Sequence, residues 1–261
     1  ITLEGDVPQL CQEYRKRNRE GQNGQLHLLI EPMDETVEQI VNLRSCSDVT
    51  YSEVLAMKQS HDAIRQKREY LQNKLIADAW CAAFVWCKVH IDSQRLDYPF
   101  THGILREMLD NQHLYREMRQ EIERLTEQYL FFHWHLEFPD IFRIPDEGEE
   151  PDNPQAGWSG GFDVVLSNPP WERIKLQEKE WFAAYPAIAE APNAAVRRKR
   201  IAALQQRDSD LYNAFMHDQR KAAGESHFIR HSSRYPLCGY GDVNRYAIFA
   251  ENMRRLIGPK G

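Results

Sequence analysis

The sequence predicts an α/β chain in which a long α-helical hairpin over residues 1–130 precedes a partial core of parallel strands and helices over residues 131–261. Three observations predict it. In the first part, apolar residues recur at helical spacing along two long stretches. In the second, the apolar run Phe162-Asp163-Val164-Val165-Leu166 ends in two prolines. Near the end, the stretch from Asp242 to Leu256 reads as an amphipathic helix stopped by Gly258-Pro259-Lys260-Gly261. A chain of 261 residues is long enough to bury a sizeable core in one or two domains.

The first helix of the hairpin follows Val54, Met57, His61, Ile64, Arg68, Leu71 and Leu75, which alternate spacings of three and four. The second repeats the pattern with Tyr115, Met118, Ile122, Leu125 and Tyr129. Between them, Pro99 in the stretch 92–102 ends the first helix, so the two pack as an antiparallel pair. Residues 76–91 are largely apolar but too few to span a membrane, and they carry Asp78, Lys88 and His90; they read as a buried helix. The acid-, Pro- and Gly-rich run 145–160 reads as a solvated connection. Residues 172–240 are longer than an ordinary connection and read as a lid-like insertion.

Phe162 to Leu166 has the β-branched, non-alternating character of a buried strand in a parallel sheet. Pro169 and Pro170 forbid its continuation, because neither can donate a ladder hydrogen bond. Asn168 is thereby placed at the carboxyl edge of the sheet, where open α/β folds bind ligands. The residues suit one reaction well. The lone pair of an exocyclic amino group on a nucleobase is delocalised into the ring, and it becomes nucleophilic when both its hydrogens are drawn into hydrogen bonds. The Asn168 side-chain carbonyl and the Pro169 backbone carbonyl are two acceptors in sequence, the second pre-aimed by the fixed φ of proline. Trp171 offers a face on which a base turned out of a duplex can stack, worth roughly 1–3 kcal/mol, against the few kcal/mol that unstacking costs.

On these residues, 131–171 and 239–261 resemble the catalytic domain of the amino-methylating DNA methyltransferases, most closely the large adenine-N6 enzymes of restriction-modification and phage-defence systems (type IIG-like). Asn168, Pro169, Pro170 and Trp171 match that family's target-base motif, and Gly241 to Met253 is similar to the helix that follows it. The resemblance implies a partial Rossmann-like, S-adenosylmethionine-dependent methyltransferase core, with Asn168 to Trp171 catalytic and adenine N6 methylated by direct transfer. Double-stranded DNA with a flipped adenine is then the substrate, and restriction or specificity subunits or domains are further partners. In the helix, Asp242 is the expected N-cap, and Tyr246, Phe249, Met253 and Leu256 are the expected face laid on the sheet.

The family's cofactor is held by a glycine-rich turn after the first core strand. No such turn follows an apolar strand upstream of residue 160; Gly21-Gln22-Asn23-Gly24 follows charged residues instead. The sequence therefore reads as an internal fragment whose cofactor loop precedes Ile1 and which would be inactive alone. The resemblance places a strand and an acidic cofactor contact within residues 131–142, the contact at Asp140, with Glu137 as the less favoured choice.

Net charge is −6 overall, but residues 168–261 hold 16 Lys+Arg against 10 Asp+Glu, while residues 1–167 hold 17 against 29. The basic part is the part with the base motif. Arg197, Arg198, Lys199 and Arg200 form its densest run and Arg230 and Arg234 a looser group, so these six are the candidate phosphate contacts. Tyr212, Phe215 and Tyr235 are candidates for a second stacking face. Five cysteines without a Cys-x-x-Cys pair indicate a reduced, cytoplasmic protein. His133 and His135 lack cysteine neighbours, and no metal is expected. Two other readings stay open: a methyltransferase acting on an RNA base or a protein glutamine amide, and a non-enzymatic DNA-recognition or assembly subunit.

Overall fold

The computed structural model describes residues 3, 6–20, 33–88, 101, 103–105, 107, 116–146, 148–259 and 261. The Gly21–Gly24 turn, His90 and Ile91, the linker with Pro99, Tyr115, Glu147 and Lys260 lie outside the described residues. In chain order the helices are α1 (Pro8–Glu20), α2 (Asp34–Arg44), α3 (Tyr51–Arg65), α4 (Arg68–Val85), α5 (Arg116–Tyr129) and α6 (Trp134–Glu137). Strands β1 (Phe142–Arg143) and β2 (Ser159–Gly160) follow, then α7 (Glu178–Trp181), α8 (Pro186–Ala189), α9 (Ala194–Arg207), α10 (Ser209–His231) and α11 (Arg245–Leu256).

The stretch expected as one helix from Val54 to Leu75 is two. A capping box starts α3, with Glu53 N donating to the Thr50 hydroxyl (3.3 Å) and Thr50 N donating to the Glu53 carboxylate (2.8 Å). Lys67 then takes an extended backbone (ψ 145°) and α4 begins anew. The buried stripe lies further along than the spacing suggested: Val54 and Leu71 are exposed, whereas Ile76, Ala79, Ala82 and Val85 pack on Met118, Ile122 and Leu125 of α5. Of the second stripe, Met118, Ile122 and Leu125 are buried and Tyr129 half-buried. Helix α10 lies over the same core, where Phe228 meets Phe84 edge-on (5.4 Å) and Gly224 admits the Tyr129 side chain; a Cβ there would sit 2.4 Å from the phenol oxygen.

The strand expected over 131–142 is a helical turn. His133 and Trp134 carbonyls accept from residues three and four ahead, and strand pairing is confined to Phe142–Arg143, antiparallel with Ser159–Gly160. Trp134, Phe138, Phe142, Trp158 and Phe162 close around one another edge to face, and this aromatic packing favours the compact turn. The described residues are thus mostly helical with one small antiparallel sheet, and the parallel sheet is not built among them. Phe162 makes a single parallel bridge, to Ile257. Beyond it Val164 is 70% and Leu166 90% exposed, so the run expected as a buried strand lies open, because no second strand among the described residues covers it.

What holds this run is α11, at both ends. At the helix C-terminus, Phe162 N donates to Leu256 O (2.8 Å) and Gly258 N to Phe162 O (3.0 Å). At its N-terminus, Ile174 N donates to Val243 O (3.1 Å), Arg245 N to Glu172 O (2.9 Å), and Arg173 bridges Asn244. Helix α11 is about 18 Å long, whereas the chain from 162 to 173 reaches about 36 Å if extended. The excess length bows residues 163–171 outward. Two glycines permit the lower attachment: Gly161 has φ +145° and its missing Cβ would lie 2.5 Å from Gly258 N.

The buried face of α11 also differs from expectation. Ile248, Glu251, Arg255 and Leu256 are buried, while Tyr246 and Phe249 are 43% and 41% exposed. Glu251 accepts from Leu237 N (3.0 Å) and Cys238 N (2.9 Å), and Arg255 donates to the carbonyls of Arg234 and Gln155. These charged side chains turn inward because they satisfy backbone groups of two loops. Asp242 is not the cap; Asn244 holds that position without a side-chain cap bond, and Asp242 pairs with Arg173 (3.0 Å).

Residues 178–231 carry a core of their own, built on Phe182, Ile188, Ile201 and Phe215. Asn193 caps α9 through Val196 N (2.9 Å) and Asp208 caps α10 through Leu211 N (3.0 Å). No helix among the described residues is long and apolar enough to cross a membrane.

Two outcomes follow from this packing. Gly161→Ala should lower stability in urea unfolding by roughly 1–3 kcal/mol, since the added methyl meets backbone that cannot yield. Burial, then His133 and Arg234, push His135 down to about 3, and burial lowers His227 as well. The His135 ring therefore stays neutral in the fold down to about pH 3, whereas it protonates near pH 6.5 when unfolded. Stability is therefore full above that pH and falls as pH drops from about 6.5 towards 3; His135→Gln should flatten this acid limb in melting curves.

Candidate functional site

Asn168 stands near the crest of the bowed segment, exposed, with its side-chain amide making no hydrogen bond among the described residues. Both its carbonyl oxygen and its amino group are open to a ligand. Pro169 and Pro170 are half-buried, and their missing N–H groups leave nothing unsatisfied where the chain loses regular pairing. Val165 faces inward to the aromatic cluster of Phe142 and Trp158, which anchors the segment from below. Trp171 is 82% exposed, and its one aromatic neighbour among the described residues is Tyr246 on the first turn of α11, with ring centroids 5.5 Å apart and tilted by 34°.

Past the motif the chain enters a cleft of about 370 Å³, lined among others by Arg173, Lys175, Trp181, Lys221 and Arg245. Arg173 is held by Asp242, and Arg245 lies 3.6 Å from Glu225. Trp181 donates its indole N–H to Asp218 (2.9 Å), which fixes one wall against α10.

The six basic candidates divide by what they touch. Arg197 donates to Glu178 (2.7 Å) and Arg200 to the Ala187 carbonyl, tying α9 to α7 and α8. Arg230 donates to Gly241 O (2.7 Å), and Arg234 lies over the Trp80 ring (5.2 Å). Arg198 and Lys199 are exposed and make no ion pair among the described residues. The aromatic candidates of the insertion are packed away: Phe215 is 2% exposed, Tyr212 packs against the same core, and Tyr235 packs on Ile229 and Val243. Phe215 completes a core, and Tyr212 and Tyr235 are half-buried beside theirs. Tyr246, which the apolar periodicity had assigned to the buried face of its helix, is the aromatic residue that meets Trp171. Its position beside an exposed Trp follows from the 172–174 and 243–245 pairing, which the sequence does not announce.

Asp140 and Glu137 sit under the α2–α3 hairpin. Arg44 reaches one Asp140 oxygen (2.6 Å), and Glu137 takes Arg65 and the Tyr70 hydroxyl (2.9 Å). The other Asp140 oxygen is buried without a partner. Such an acceptor fits one N–H donor of an adenine-containing cofactor. Glu137, with both oxygens engaged, offers none.

Reactive groups elsewhere are quiet. Burial pushes the Cys81 thiol up to about 12, which keeps it protonated. His133 contacts Asp78 (2.7 Å), whose other oxygen takes the half-buried Lys74 (2.5 Å), a triad that ties α4 to the start of α6. All five cysteines are free.

The geometry can be set beside known proteins. The model of the family described as Eco57I restriction-modification methylase matches residues 53–258. That range takes in α3 to α11, the bowed segment with Asn168 to Trp171, and the cleft beyond it. Neither the curated proteins nor the solved structures gave a match. The family match covers most of the chain, and the protein belongs to the Eco57I restriction-modification methylase family.

Proposed function

We propose that this restriction-modification methylase is an adenine-N6 DNA methyltransferase, with Asn168, Pro169, Pro170 and Trp171 as its target-base site. One observation carries the reading: the free, exposed Asn168 amide precedes Pro-Pro and an exposed Trp171 on a segment fixed at both ends to α11. The Asn168 carbonyl and the Pro169 carbonyl accept the two N6 hydrogens and leave the nitrogen lone pair localised for attack. Trp171 stacks on the flipped base. Because both acceptors belong to one anchored segment, the amine is presented in a fixed direction, and positioning supplies most of the rate.

S-adenosylmethionine, when bound, supplies an electrophilic methyl group on a sulfonium. Asp140, through its unpartnered oxygen, is the residue we assign to it. A Rossmann-like core belongs to the same proposal, and the parallel Phe162–Ile257 bridge supports it. The helical body over 1–130, the catalytic part over 131–261 and a lid over 172–240 are its proposed parts. We place the protein in the cytoplasm on its five free cysteines, with duplex DNA as substrate and restriction or specificity subunits as partners. Arg198 and Lys199, having no ion-pair partner among the described residues, lead the six basic residues proposed to meet phosphates; Arg197, Arg200, Arg230 and Arg234 serve the fold as well.

Asn168→Ala should cut DNA methylation with labelled cofactor by roughly 100- to 1000-fold, while DNA affinity stays within about threefold of the parent, as expected when only a reacting-centre contact is lost. Unchanged methylation would remove the assignment. The double variant Arg198→Ala, Lys199→Ala should weaken DNA binding without regard to sequence and lower the salt slope by about 2; an unaltered slope assigns both residues to solvent alone.

A further inference from the structure

Trp171 presents most of its surface to solvent, and its aromatic contact is the Tyr246 ring, 5.5 Å away and tilted by 34°. Two stacked faces with a base between them need centroids about 7 Å apart, twice the roughly 3.5 Å of van der Waals contact. A base therefore does not enter between these rings. It meets the outer face of Trp171, and Tyr246 stands behind.

The two side chains come from chains stitched together by the Arg173–Asn244 bridge and by Arg245 N to Glu172 O. Trp171 lies just before that stitch on one side and Tyr246 just after it on the other. Tyr246 has helical backbone, so its ring is carried by a rigid element, whereas Trp171 sits on the bowed segment. Ordering a free, exposed side chain on binding costs about 0.5–1.5 kcal/mol, and a neighbouring ring that already holds it reduces that cost.

We propose that Tyr246 is a positioning residue for the target base: it backs Trp171 and holds the indole in the orientation on which the base stacks. This rests on the reading of Trp171 as the stacking face. The interaction needs the flat ring and not the phenol oxygen, for which no hydrogen bond exists among the described residues.

The test uses a duplex with one 2-aminopurine opposite an abasic site, which frees the base in advance and requires no knowledge of the recognition sequence. Stacking quenches its fluorescence, and titration with the whole protein gives Kd. Trp171→Ala should weaken binding roughly 10-fold or more. Tyr246→Ala and Tyr246→Leu should each weaken it roughly 3- to 10-fold, the range set by side-chain ordering, and Tyr246→Phe should stay within about twofold. In methylation assays the same loss should fall on KM more than on kcat. The Leu variant preserves apolar bulk on α11, so a shared melting temperature with the parent separates ring loss from misfolding. If Trp171→Ala binds poorly and the Ala and Leu variants at 246 bind like the parent, this inference is wrong and the base site stands. If Trp171→Ala itself changes nothing, the stacking reading fails and the inference with it. A Phe variant as weak as the Ala variant assigns the effect to the hydroxyl and overturns it.

Discussion

Helix α11 takes both ends of the Asn-Pro-Pro-Trp segment into backbone hydrogen bonds, and the rest of the site depends on that double attachment. Four main-chain bonds, paired into two bridges, fix Phe162 at the helix C-terminus and Glu172 to Ile174 at its N-terminus. An exposed loop of this length tied at one end would lose its geometry to conformational entropy, at roughly 1–2 kcal/mol per residue. Tied at both, it keeps Asn168 and Trp171 in a narrow set of positions while leaving their functional groups in solvent.

The helix is in turn fixed by its charged face. Glu251 and Arg255 are buried and satisfy backbone groups of the 155–156 and 234–238 loops, and Asn153 donates to the Arg255 carbonyl (3.2 Å). Replacing either charged side chain with alanine would strand buried polar groups, so the loops, the helix and the motif form one connected structure. The α9–α10 unit adds the outer wall of the cleft, and its far end is anchored on α4 through Phe228 and Phe84. The segment that carries Asn168 is thus connected through continuous packing to the helical body that precedes it.

The parts of this arrangement that the sequence displays are those with local causes. Two prolines stop an extended run and set Asn168 before them; the Met118, Ile122, Leu125 stripe reports a buried face; and the helix at 245–256 is evident from its periodicity and its Gly-Pro end. What it conceals depends on partners far along the chain. Val164 and Leu166 have the composition of a buried strand, yet burial requires neighbouring strands, and among the described residues only residues 256–258 are there to pair. Counting apolar residues on α11 selects Tyr246 and Phe249 as the inner face, but Glu251 and Arg255 take it because loop carbonyls and amides need them. Aromatic packing around Phe142 turns residues 134–137 into a helix where the resemblance suggested a strand. Tyr246 escapes notice for the same reason: its contact with Trp171 depends on a bridge between residues 71 positions apart, Arg173 and Asn244.

The central claim is that the anchored Asn168-Pro169 acceptors present an adenine amino group for methylation. Nucleoside mass spectrometry of DNA exposed to the protein and labelled S-adenosylmethionine tests it most directly. The account predicts label in N6-methyladenine alone; label in N4-methylcytosine or 5-methylcytosine, with adenine unmodified, would contradict it.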